Sequence, residues 1–217
     1  MEVYRTEEEQ VAAIKRWWKE NGSSLLIGVG LALAIIFGWK AWQANVASKQ
    51  SAAAALYQDV LIATTNPDEE KGRASVNFIA EQLRESHSGS PYAIYASLIQ
   101  ARTSVDQGEH AKAIEQLNWA LQKSKGALKT LVEYRLAQTQ WIAGDAQAAL
   151  ATLKGIQQAQ GFAGLIGALE GDILHSKGDL DGARAAYRKA SDAVASGAQV
   201  VPLLDLKMAE LGLTENR

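Results

Sequence analysis

Nineteen consecutive residues, Asn21 to Trp39, carry no charge, and from Ser23 onward they read SSLLIGVGLALAIIFGW. As a helix rising about 1.5 Å per residue, such a run spans roughly 28 Å, close to the thickness of a bilayer's hydrocarbon core. Lys15, Arg16 and Lys19 close it on one side and Lys40 on the other, with Trp17, Trp18, Trp39 and Trp42 at its two ends. Amphipathic rings of this kind settle at the level of the lipid headgroups. The pattern predicts a transmembrane helix over 21–39. A secretory signal would have a shorter apolar core, about 7 to 15 residues, followed by small residues at a cleavage site. The stretch after Trp39, KAWQANVASKQ, offers no A-x-A and continues as helix, so an uncleaved anchor is expected.

Orientation follows from Lys and Arg near the span. Arg5, Lys15, Arg16 and Lys19 precede it, against Lys40 and Lys49 after it. That imbalance predicts a cytoplasmic N-terminal segment, 1–20, and places 40–217 on the far side, the periplasm in a bacterial cell. Glu2, Glu7, Glu8, Glu9 and Glu20 count little in the rule.

The residues from Ser48 on are numerous enough for one sizeable domain. Five of the 22 Lys plus Arg and five of the 24 Asp plus Glu lie before Ser48, which leaves 17 against 19 without a block of either sign. Nucleic acid and acidic membrane surfaces are therefore not favoured partners. With no cysteine, disulfides, thiolate metal sites and thiol catalysis are excluded. Alanine and leucine abound, only Pro67, Pro91 and Pro202 interrupt helices, and alternating β-branched runs are missing. The fold expected is all-α.

The domain repeats itself. Gly108, Gly144 and Gly178 recur at spacings of 36 and 34, followed in each case five residues later by Ala113, Ala149 and Ala183, and preceded seven residues earlier by Ala101, Ala137 and Gly171. Each glycine lies between two helical stretches, where a helix end needs a residue tolerant of positive φ, and the small residues permit close helix contact. This pattern resembles the tetratricopeptide repeat, a helix-turn-helix of about 34 residues. It departs from that pattern at the Trp and Tyr positions of the first helix and lacks the terminal proline. Three hairpins are expected at Tyr92–Ser124, Leu128–Gln160 and Phe162–Ser196. An earlier, degenerate one is expected over Ser48–Ser86, with Gly72 as its turn glycine and Asn77 in place of the packing alanine. Four hairpins would stack into a short right-handed solenoid. Pro202 is expected to start a capping helix whose Leu203, Leu206, Met208 and Leu211 cover the last repeat. Lys40 to Leu61 contains neither Gly nor Pro, so the first helix is expected to continue past the membrane span.

No catalytic constellation is legible. His87, His110 and His175 are dispersed, and there is no H-E-x-x-H, G-x-S-x-G, Ser-x-x-Lys or Gly-rich phosphate loop. Gly178-Asp-Leu-Asp-Gly182 superficially resembles a calcium loop but lacks the closing Glu, and Asp at a helix start is explained by capping. No enzyme activity, cofactor or metal is expected. Binding remains. In tetratricopeptide domains the first helix of each hairpin lines a groove, which here would contain Tyr95, Leu98, Arg102, Tyr134, Gln138, Trp141, Asp172 and His175. Such side chains could hold a polypeptide, or Tyr134 and Trp141 could simply fill the core. In the membrane helix, Gly30, Ala34 and Gly38 recur every four residues, a small-xxx-small stripe that permits close helix packing in lipid.

The opening E-E-x-x-x-x-I-K-x-W-W-K-x-N-G, Glu8 to Gly22, together with the closing P-L-L-x-L-K-M-x-x-L, Pro202 to Leu211, resembles the bacterial YfgM family. The resemblance covers the whole chain. It implies a single-pass type II inner-membrane protein with a periplasmic tetratricopeptide-like domain. It further implies an accessory subunit of the SecYEG translocon that works with the foldase PpiD and helps pass emerging chains to periplasmic chaperones. The residues alone reach a membrane-tethered helical-repeat interaction module. A scaffold for another cell-envelope complex, or a cytoplasm-facing adaptor, stays open on that evidence.

Overall fold

A computed structural model describes residues 7–157 and 159–213; Arg5, counted above for orientation, and the last residues of the expected domain, 214–217, lie outside them. Among the described residues every regular element is helical. The chain divides after Ala52 into two compact units.

The first unit is a stretch of α1 (Glu7–Thr64), which is long and apolar enough to cross a membrane. Its large side chains face outward all round: Leu26 is 62% exposed, Ile35 71% and Phe37 65%. A core helix of a soluble protein would bury such a surface. A helix apolar on every face needs apolar surroundings, and the exposure fits a membrane anchor. At its ends the aromatics make local contacts. The Trp18 ring lies over Gly22, and the Trp39 and Trp42 rings sit 5.0 Å apart. Asn21 donates its side-chain amide to the Trp17 carbonyl one turn back at 3.1 Å, which satisfies a polar group within the helix.

In the second unit the end of α1, from Ala53, pairs with α2 (Glu69–Ser86). Then come α3 (Pro91–Asp106) with α4 (His110–Lys123), α5 (Gly126–Ile142) with α6 (Ala146–Gly155), and α7 (Ala163–Ser176) with α8 (Leu180–Ala195). A short α9 (Leu204–Glu210) follows. Neighbouring hairpins share side chains, as a solenoid requires. Trp119 packs into the clusters of the first and second hairpins, and Leu165 into those of the third and fourth. Helix α5 gives Val132 and Leu136 to one cluster and Tyr134 and Ala137 to the next.

The turn glycines stand at φ +76° for Gly108, +89° for Gly144 and +80° for Gly178. After each, the next residue's N–H closes back to a carbonyl of the first helix: Glu109 to Ser104, Asp145 to Gln140 and Asp179 to Leu174, at 2.8 to 3.0 Å. These are Schellman closures, which satisfy carbonyls at the helix end. Asp145 and Asp179 then cap the second helices by accepting from Ala148 and Gly182 N–H at 2.8 and 2.9 Å. The acidic loop that resembles a calcium site is thus a helix cap, with Asp181 paired to Arg184 at 2.8 Å. Ala113, Ala149 and Ala183 are each fully buried where the two helices of a hairpin meet.

Three expectations need correction. Gly72 is not a turn glycine. It lies in the first turn of α2, buried, where an added Cβ would stand 2.7 Å from the Ala63 carbonyl oxygen. The turn before it is capped by Asp68, which accepts from Lys71 N–H at 3.1 Å. Measured from the caps, Asp68, Asp145 and Asp179 correspond, so Gly72 itself occupies the place of Ala149 and Ala183. Asn77 has no such role. Second, Pro202 does not start the last helix. Leu203 adopts a left-handed backbone, φ 60°, and α9 begins at Leu204. The covering stripe therefore runs through Leu204, Met208 and Leu211, while Leu203 and Leu206 are 68% and 65% exposed. Third, the second helix of the hairpin expected to run to Gln160, α6, stops at Gly155 and is shorter than α4 and α8. The position held by Ala120 and Ala190 in its neighbours is Ile156, already in extended backbone.

Candidate interaction groove

The first helices bury one face in the hairpins and leave another open. On α3 the buried face carries Ala93, Ser97, Gln100, Ala101 and Ser104; Leu98, Arg102 and Val105, at i, i+4 and i+7, line a hollow of about 1020 Å³. Across that hollow α5 presents Leu131, Arg135, Gln138 and Ile142, again one helical face. The end of α1 and the first turns of α2 close it with Ala63, Arg73 and Val76. The other flank of α5, Tyr134 and Trp141, faces a smaller hollow of about 260 Å³ shared with α7 and with Val201, Pro202 and Lys207. Gln138 and Ile142 belong to both. Helix α5 is thus the partition between two adjoining hollows.

The residues expected from sequence divide accordingly. Leu98, Arg102 and Gln138 line the larger hollow, and Tyr134, Gln138, Trp141 and Asp172 the smaller. Tyr95 and His175 line neither. Tyr95 instead meets Tyr57 of α1 with tilted rings 5.9 Å apart, and Tyr57 also meets Tyr92 at 5.6 Å. Burial, helped by Tyr95, raises the Tyr57 phenol above its ordinary value. Arg102, Gln138 and Asp172 stand at equivalent repeat positions with different commitments. Arg102 holds Asp106 at 2.8 Å on an open surface. Gln138 accepts from Arg135 at 2.8 Å and donates to the Tyr134 hydroxyl at 3.1 Å.

Asp172 lines the smaller hollow and is at the same time committed within the fold. It accepts from the Tyr187 hydroxyl at 2.7 Å and takes the Lys207 ammonium at 2.6 Å, tying α9 to α7 and α8. Tyr134 is likewise part core, 8% exposed, with its phenol shifted upward first by burial. Among the lining residues not anticipated are Arg73, Arg135 and Ile142. Arg73 was missed with the register of α2. Arg135 and Ile142 follow one residue after Tyr134 and Trp141, on the flank of α5 turned to the other hollow.

Comparison with known proteins adds the family. A model described as a tetratricopeptide repeat-like domain matches residues 15–213. A protein of Escherichia coli (strain K12) named ancillary SecYEG translocon subunit is 36% identical over 86% of this chain and 88% of its own length. Proteins of the same name from Haemophilus influenzae and Aggregatibacter actinomycetemcomitans are 32% and 30% identical, covering 97% and 88% of this chain and 98% and 91% of theirs. Matched over nearly its whole length by the family model and by these relatives, the chain belongs to the tetratricopeptide repeat-like family of the ancillary SecYEG translocon subunits, the YfgM family that its two ends resemble.

Proposed function

We propose that this chain is an ancillary subunit of the SecYEG translocon, a binding module rather than an enzyme. Residues 1–20 lie in the cytoplasm, 21–39 cross the inner membrane, and 40–217 form a periplasmic domain. There the open faces of α3 and α5 receive polypeptide segments. In that position the domain works beside the foldase PpiD and helps periplasmic chaperones take over chains leaving the channel. The observation that carries the reading is the pair of adjoining hollows along the first helices, apolar in their floor and bordered by the Gln138 amide, by arginines and carboxylates in the larger, and by Asp172 and Lys207 in the smaller. This arrangement suits shape-directed capture of peptide, in which apolar contacts supply affinity and hydrogen bonds fix register. It stands in a chain whose membrane helix would hold it beside the channel.

A photo-reactive residue placed at Leu98 or Trp141 of the full-length protein in membranes tests this. The expected products are cross-links to PpiD and to secreted chains in transit, with SecYEG copurifying. Cross-links only from an outer position such as Arg188, or copurification with an envelope complex lacking SecYEG, would overturn the reading in favour of a scaffold elsewhere.

A further inference from the structure

We propose that the larger hollow selects acidic, apolar-anchored polypeptide segments, with Arg135 as the residue that reads the carboxylate. The inference rests on the reading of the hollow as a polypeptide site and adds the chemistry of its occupant. Five charged residues line it: Glu69, Arg73, Arg102, Asp106 and Arg135. Two pairs neutralise each other, Arg73 with Glu69 at 3.1 Å and Arg102 with Asp106 at 2.8 Å. Arg135 faces no carboxylate within ion-pair distance among the described residues. The nearest acid on its own helix, Glu133, is turned to Lys129 at 3.7 Å.

What holds Arg135 is neutral. One guanidinium nitrogen donates to Gln138 at 2.8 Å, and the group lies 5.8 Å from the Tyr134 ring centre. Both contacts orient the group, which is itself exposed to solvent, and leave its charge uncompensated. A planar fork held in place loses little freedom when a carboxylate arrives, which favours bidentate pairing. Around it the floor is apolar, with Leu98, Val105, Leu131 and Ile142; Ile142 is 54% exposed. Apolar side chains of a bound segment would cover this surface while a Glu or Asp beside them meets Arg135. A lysine in that place would set like charges together in a partly desolvated groove, which disfavours the wrong partner.

The test uses the full-length protein in detergent and three labelled synthetic peptides of one length with leucines at the same positions. The intervening positions carry glutamate, lysine or serine, and binding is followed by fluorescence anisotropy. The glutamate peptide should bind at least about fivefold more tightly than the lysine peptide, a ratio that widens at low ionic strength. Arg135→Gln should remove that preference and Arg135→Glu reverse it, while Arg188→Gln, on an exposed part of α8, leaves it unchanged. The serine peptide, bound equally by wild type and Arg135→Gln, establishes that the variants are folded and the hollow intact. Equal binding of the acidic and basic peptides, or an acid preference that survives Arg135→Gln, overturns the charge selection and leaves the groove reading standing. Failure of all three peptides to bind overturns both.

Discussion

Ser104 donates a hydrogen bond to Gln116 across the α3–α4 hairpin at 3.1 Å, and 36 residues later Thr152 donates to Gln140 at 2.7 Å at the same two positions with the long and short side chains exchanged. The glutamine comes from the second helix in one hairpin and from the first in the next. In the last hairpin the two positions hold Leu174 and Ala186, so the polar pair is replaced whole. A buried amide and a hydroxyl are tolerable together and costly apart. Ser104→Val should therefore cost about 1 to 3 kcal/mol, because it strands the Gln116 carbonyl oxygen in a site where Gln116 is 3% exposed. The double variant Ser104→Gln with Gln116→Thr copies the second hairpin and should recover most of the loss. Urea unfolding of a fragment from Ser48 on measures both; a double variant no better than the single would mean that the pair is incidental.

A second relation between neighbouring repeats concerns volume. Where the second helix offers Leu117 or Leu153 the first offers Ala101 or Ala137; where it offers Tyr187 the first has Gly171. A Cβ on Gly171 would run into the Tyr187 ring, and Tyr187 cannot retreat without leaving Asp172. Gly171→Ala should destabilise by about 1 to 3 kcal/mol despite the better helix propensity of alanine. Adding Tyr187→Leu, which restores the pairing of the other hairpins, should relieve the clash, though the hydrogen bond to Asp172 is then lost. The sign of that coupling in a double-mutant cycle is the readout, and simple additivity would contradict the packing argument.

These pairs mark what the sequence makes legible. Ala113, Ala149 and Ala183 are readable because two helices joined by a short turn can meet closely only over small residues, and the turn glycines because a left-handed backbone admits little else. Gly72 misleads for the same reason. A glycine can mean positive φ or close approach, and only Asp68, four residues earlier as Asp145 and Asp179 are before Ala149 and Ala183, tells which. Long-range partners are harder. Nothing local in α7 announces that Lys207, 35 residues later, will occupy Asp172, and nothing local in α3 that Tyr95 will meet the Tyr57 ring. Groove assignments made by repeat position therefore say nothing of the partners that another segment of chain brings to the same side chains.

Of the three tyrosines whose phenols are raised, Tyr57, Tyr134 and Tyr187, the last contributes most to the alkaline limb of stability. Burial, then the hydrogen bond to Asp172 and the charge of that carboxylate, push its phenol well above the ordinary value of 10.0. The folded state thus holds the proton more tightly than the unfolded state. The resulting stability is fully present below pH 10 and is lost as pH climbs toward the folded value. Urea midpoints of the fragment should decline above pH 10, and Tyr187→Phe, less stable at neutral pH by about 1 to 2 kcal/mol through its lost hydrogen bond, should decline less over the same interval. Parallel declines of the two proteins would assign the alkaline limb to other groups.

The orientation drawn from Lys15, Arg16 and Lys19 has a direct check. Alkaline phosphatase fused to the C-terminus should be active in a bacterial host, and a reporter that works only in the cytoplasm should be silent there. The reverse pattern would move the whole repeat domain, with its groove, to the cytoplasmic side.

The membrane helix allows insertion and docking to be tested apart. An added Cβ at Gly30 or Gly38 meets nothing within 4 Å, so leucines fit there without disturbing the rest of the chain, and leucine is favourable in lipid. Gly30→Leu with Gly38→Leu should therefore insert normally. If the stripe of Gly30, Ala34 and Gly38 lies against a helix of the translocon or of PpiD, the enlarged side chains hold the two backbones apart, and copurification should fall severalfold at equal membrane abundance. If recruitment runs instead through the hollows of the repeat domain, Leu98→Ala with Trp141→Ala should lower copurification while the stripe variant retains its partners. Loss in both variants would mean that the helix and the groove each contribute part of one bivalent attachment, in which a weak contact in lipid raises the local concentration of the domain at the channel. Retention in the stripe variant alone would reduce the transmembrane segment to a tether whose sequence matters only for its length and polarity.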